Sequence, residues 1–177
     1  MKITSSAMNS YLYLGDYDKF LASLPDAGAE YILFYRGFAE YYKGDDAGAR
    51  AHFDRAFEMN PALLPAEVGK ALAYGLRHEN AAGVKLLREA EGRMQERGVA
   101  DGEGLYKVCQ AYAELGDGGS ALRILRQSIG RGFYPYPYFQ TDPLLKKVRG
   151  VREFAGLMEE ARKRYEQFRK EFGDGAR

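Results

Sequence analysis

The chain has 177 residues, 46% of them hydrophobic, with 26 Lys and Arg set against 25 Asp and Glu. That is enough apolar surface for a buried core, which excludes a disordered chain, and the even charge balance argues against a basic nucleic-acid binder. No apolar run approaches the ~20 residues that cross a bilayer, Met1–Phe20 shows no secretory leader, and a single cysteine, Cys109, excludes a disulfide framework; the expected setting is cytoplasmic.

The first element, residues 4–28, carries Met8, Tyr11, Gly15-Asp16, Phe20 and Leu24 at helical spacing, with Pro25 cutting its second helix short. Residues 30–61 read more clearly as helix, Gly44-Asp45 turn, helix, and Pro61 as the stop. In such a turn the glycine takes a positive φ and the aspartate caps the next helix. Residues 64–97 form a third pair whose second helix runs long, toward Arg97, before Gly98 and Gly102 end and restart the chain. Residues 101–131 form a fourth pair about Gly116-Asp117.

Small residues recur with this period. Gly37, Ala49, Phe53 and Ala56 shift by 34 residues onto Ala71, Gly83, Leu87 and Ala90. A shift of 38 more from Ala71 gives Cys109, then Ala121, Leu125 and Ser128. Tyr74 and Tyr112 each stand three residues after the small residue that opens their pair, where the earlier pair has Glu40. Small residues at fixed spacing let two helix backbones approach closely, with Tyr, Phe and Leu filling the space beside them.

Residues 132–177 depart from the repeat. Pro135 and Pro137 alternate with Phe133, Tyr134, Tyr136, Tyr138 and Phe139, which predicts an extended or turning segment whose rings pack on the preceding helices. Asp142-Pro143 reads as a helix start. The last helix, about 151–172, has Phe154, Leu157, Met158, Ala161, Tyr165, Phe168 and Phe172 on one face. With Glu159–Lys163, Glu160–Arg164 and Glu166–Lys170 outside, it reads as a capping helix.

The array over residues 1–131 resembles the tetratricopeptide repeat, whose pattern is a small residue, Tyr, Ala-x3-Phe, Ala and Pro. The resemblance implies an all-α fold, a right-handed α-solenoid of antiparallel helix pairs closed by a C-terminal capping helix. The stretch from Gly132 through Phe172 also resembles the C-termini of repeat regions in bacterial multidomain regulators. That implies a sensory or regulatory piece joined to a DNA-binding or kinase domain. The first pair offers no clear terminal cap, so an excised start at Met1 fits this second reading.

Catalytic chemistry is absent from the sequence. No phosphate loop, H-E-x-x-H or G-x-S-x-G occurs, and His52 and His78 are the only histidines, too few for a zinc site. Cys109 occupies a small-residue packing position and reads as a buried hydrophobe. Neither metal nor cofactor is expected.

In tetratricopeptide-like arrays the first helix of each pair lines a concave face that takes extended peptides. The resemblance assigns to that face Asn9 and Tyr13, then Phe34, Phe38, Tyr41 and Tyr42, then Leu72 and Leu76, then Tyr106, Lys107 and Gln110. Repeat proteins that grip the carboxylate tails of heat-shock chaperones carry Lys, Arg and Asn there. This chain has mostly Phe, Tyr, Val68 and Gly69, with only Lys107 and Asn9 of the clamp type, which argues against that use. An aromatic groove suits a hydrophobic or proline-containing peptide; it equally suits the chain's own 134–139 segment or its final helix. The expected function is a non-enzymatic protein-interaction module, with a regulatory piece or a self-associating repeat domain as alternatives.

Overall fold

The computed structural model describes residues 5–26, 28–97 and 101–172. Among them every regular element is helical: α1 (Ser5–Tyr13), α2 (Tyr17–Ser23), α3 (Glu30–Lys43), α4 (Asp46–Met59), α5 (Leu64–Leu76), α6 (Asn80–Arg97), α7 (Gly102–Leu115), α8 (Gly118–Gly130), α9 (Tyr136–Thr141) and α10 (Arg152–Phe172), with a 3-10 turn at Pro143–Leu145. The fold is all-α and built from helix pairs. It divides into two compact units, Met1–Arg93 and Met94–Arg177.

The turns explain the pairing. Gly15, Gly44 and Gly116 have φ of 76°, 78° and 89°, a conformation that costs other residues about 1 kcal/mol. Each is followed by an aspartate whose carboxylate accepts from the backbone three residues on: Asp16 from Lys19, Asp45 from Gly48 and Asp117 from Ser120. The N–H of each aspartate bonds back to a carbonyl five residues earlier: Tyr11, Glu40 and Tyr112. The third pair closes the same way without glycine. His78, 34 residues after Gly44, has φ 62°, and the Glu79 N–H bonds to the Tyr74 carbonyl at 2.9 Å. One Schellman-type turn therefore repeats four times.

In the first unit, α3 packs on α4 and α4 on α5. Phe53 of α4 is the wedge. A Cβ on Gly37 would lie 2.9 Å from its ring, and one on Gly69 only 2.6 Å. Both helices approach Phe53 because neither has a side chain there; burying such a ring is worth ~2–3 kcal/mol. Glu40, in the place where the repeat pattern has Tyr, meets His52 Nδ1 at 2.7 Å, so the substitution is accommodated by a polar partner on α4. Buried Glu67 is likewise ion-paired, with Arg93.

In the second unit, α7 packs on α8, and Asp101 caps α7 by accepting from Gly104 N–H at 2.6 Å. Gly102 opens α7 where a Cβ would meet Phe133 Cβ at 2.7 Å. The aromatic-proline segment differs from the sequence expectation. It is irregular only to Pro135; helix α9 starts at Tyr136, with Pro137 in its first turn, where a missing N–H costs no hydrogen bond. Its rings do pack inward, Tyr138 and Phe139 being buried. Gly98 and the side chain of Met8 lie outside the described residues.

Candidate functional site

The face assigned to peptide binding is largely filled by the chain itself. A shift of 34 residues takes Phe34, Tyr35 and Phe38 of α3 to Val68, Gly69 and Leu72 of α5, and 38 more takes these to Tyr106, Lys107 and Gln110 of α7. All nine positions are buried. Burial removes Phe34, Phe38, Leu72, Tyr106, Lys107 and Gln110 from any open groove. Asn9 is buried too, its Nδ2 donating to Tyr35 Oη at 3.1 Å. The physical reason is packing from the chain's neighbouring elements. Phe20 of α2 meets Tyr35 edge-on at 6.0 Å, and Phe53 presses on Gly69.

On α7 the filler is the C-terminal segment of the same unit. Phe139 stacks on Tyr106 with centroids 4.6 Å apart, and Phe133 and Tyr138 surround that ring. Beneath them Asp142 is fully buried. Its Oδ2 accepts from Tyr106 Oη at 2.5 Å and from Gln110 Nε2 at 2.6 Å; its Oδ1 accepts from the Leu144 N–H at 3.0 Å. The Asp142 carbonyl accepts from Arg149 Nη2 at 2.5 Å. Gln110 Nε2 also reaches Tyr138 Oη at 3.1 Å. Lys107 lies in this interior, and burial pulls its amine down to about 8, against the opposing pull of Glu103 and Asp142. Two residues of the expected peptide groove, Tyr106 and Gln110, thus hold an internal carboxylate. The helix-start reading of Asp142 captures its bond to Leu144 and misses the two from α7.

Cys109 is buried, and burial raises its thiol far above the ordinary value, which keeps it protonated and unreactive. Among the described residues no group of three His, Cys, Asp or Glu could hold a metal ion, and no helix is long and apolar enough to cross a membrane.

Aromatic surface does remain open in the first unit. Tyr13, Tyr41 and Tyr42 are half-buried, as are Leu76 and Tyr17. Tyr17 of α2 and Tyr42 of α3 stack face to face, 5.1 Å between centroids and 4° between planes. Tyr42 also meets Phe38 edge-on at 5.1 Å, and Tyr41 stands beside it at 6.5 Å. Lys43 Nζ and Asp18 Oδ1, 2.5 Å apart, form a charged rim from the same two helices. Tyr11 and Leu14, on the α1 side of the turn, are exposed. Tyr17 is absent from the sequence-based set because it belongs to a second helix; its place directly after the Asp16 cap was the available signal.

No protein-family model matches the chain, and no curated protein matches it in sequence. Solved structures do. It is similar to a crystal structure of MamA, at 17% identity over 95% of this chain and 99% of that one, with a TM-score of 0.48. It is also similar to MamA residues 41-end from Desulfovibrio magneticus RS-1, at 14% identity over 97% and 94%, with a TM-score of 0.46. No match connects Gly132–Phe172 to bacterial multidomain regulators.

Proposed function

We propose that the chain is a non-enzymatic protein-interaction module whose recognition surface is the tyrosine face of the first unit, built from Tyr13, Tyr17, Tyr41 and Tyr42. The observation that carries this reading is the parallel Tyr17–Tyr42 stack, half-buried and rimmed by Lys43 and Asp18. Phe38, buried beneath Tyr42, supports the stack from within. Tyrosines held by packing lose little entropy on binding and offer both ring area and a hydroxyl. The ligand class that fits is an extended peptide with proline or another apolar residue, laid across the rings as in polyproline recognition.

The groove positions Tyr106 and Gln110 serve a different purpose in this reading: they anchor the C-terminal segment through Asp142. A regulatory piece of a larger bacterial protein is the less favoured alternative, since nothing beyond the residue pattern of the C-terminal segment supports it.

Selection of a displayed library of proline- and tyrosine-containing peptides against the full chain tests the reading. The expected result is a saturable binder whose addition shifts the ring resonances of Tyr17, Tyr41 and Tyr42. Absence of any saturable binder, or shifts confined to other residues, would overturn it.

A further inference from the structure

Helix α10 places Phe154, Met158, Ala161, Tyr165, Phe168 and Phe172 at alternating steps of four and three, the spacing of a coiled-coil seam. Among the described residues the first half of that seam carries the apolar packing. Phe154 and Ala161 are buried, with Leu157 beside them, where α10 packs on α8 and α9. Two turns further on the seam lies bare. Phe168 is 51% and Phe172 63% exposed, their rings 5.0 Å apart. Beside them Tyr134 closes a cleft of about 350 Å³ whose polar walls include Arg164, Gln167 and Glu171.

We propose that the second half of α10 is a self-association surface, on which a second copy of this chain lays the same half-helix antiparallel about a two-fold axis. Charge selects this occupant. Arg164 and Glu171 stand seven residues apart along the same flank of the seam and have opposite sign; Arg164 already meets Glu160 of its own helix at 2.8 Å, so Glu171 of the other copy joins that exposed pair and does not meet a bare charge. An antiparallel partner in the register that faces Tyr165 with Phe168 brings Arg164 of each copy to Glu171 of the other, a pairing that the symmetry makes twice. A parallel partner would instead set Arg164 against Arg169. On the opposite flank, Arg162 is already neutralised by Glu159 and Glu166 at 2.8 Å each, which reduces its repulsion of the other copy's Arg169. The contact spans about two helical turns per copy, well below the area of an obligate dimer, so the association is weak and reversible. It is independent of the tyrosine face.

Sedimentation equilibrium of the full chain over a concentration series tests the proposal. The expected mass rises from 19.9 kDa toward twice that value as concentration increases. Phe168→Glu with Phe172→Glu, both exposed, keeps the helical spectrum and holds the mass at the monomer value. Glu171→Arg weakens dimerisation about tenfold by opposing Arg164, and Arg164→Glu combined with Glu171→Arg restores it. A strict monomer up to about 1 mM, or a dimer indifferent to the phenylalanine pair, would overturn the surface. Failure of the double charge swap to recover affinity would overturn the antiparallel register.

Discussion

Tyr106 on α7 donates its hydroxyl to the carboxylate of Asp142 across 2.5 Å, joining positions 36 residues apart inside the second unit. With Gln110 and the Leu144 N–H, this bond fixes where the chain turns back after α9. The rings of Phe133 and Phe139 then close over Tyr106. A carboxylate is costly to bury unless its oxygens are satisfied, and here both are.

Replacing Asp142 with Ala leaves the Tyr106 hydroxyl and the Gln110 amide facing an apolar gap. The expected loss is ~2–4 kcal/mol of unfolding free energy in urea titrations. Tyr106→Phe removes one hydrogen bond and keeps the ring stack, so it costs about 1–2 kcal/mol. The two losses fall short of additivity in the double variant, because they remove the same interaction. Full additivity would show that the hydrogen bond contributes nothing.

Lys107 makes the second unit sensitive to alkaline pH. Its amine titrates at about 8 in the folded chain and near its ordinary 10.5 when unfolded. Between those values the unfolded state holds the proton and the folded state does not. Stability from this group therefore rises with pH through that window, by up to ~3 kcal/mol. The neighbouring carboxyl groups of Glu103 and Asp142 oppose the shift, and burial outweighs them. Lys107→Met abolishes this rise. Urea midpoints of both proteins, compared from about pH 7.5 to about pH 10, measure the difference directly; parallel pH profiles would contradict the assignment.

His78 carries a backbone conformation that Gly15, Gly44 and Gly116 take in the other three turns. His78→Gly relieves the left-handed strain and is expected to stabilise the first unit by about 0.5–1 kcal/mol. Gly44→Ala has the opposite sign and similar size. Thermal melting of both variants checks the pair.

These residues also mark how far the fold could be read in the chain. The Gly-Asp turns were legible because both residue types report backbone geometry locally. His78 was not, since a histidine at positive φ leaves no compositional signal; only its 34-residue offset from Gly44 reveals it. The small residue Gly37 announced a close helix crossing, its α-carbon lying so near α4 that a Cβ would stand 3.1 Å from the Ala49 carbonyl. Gly69 was assigned to an open face because the periodicity that gives its direction says nothing of Phe53 lying against it. Asp142 was legible as a cap and not as the acceptor for Tyr106 and Gln110. That role depends on the segment folding back, which proline content alone does not specify. The apolar face of α10 was visible in full, yet its division into a covered half and a bare half depends on where α8 and α9 end.

The most direct measurement is the affinity of the full chain for a selected proline- and tyrosine-containing peptide, before and after Tyr17→Ala with Tyr42→Ala. These rings are half-buried and stack on each other, so removing both deletes the proposed platform while leaving Phe34, Phe38 and Phe53 in the core. Fluorescence anisotropy should report a loss of tenfold to a hundredfold, about 1.4–2.8 kcal/mol, with the helical spectrum retained. An affinity unchanged in the double variant would contradict the tyrosine face as the site of recognition.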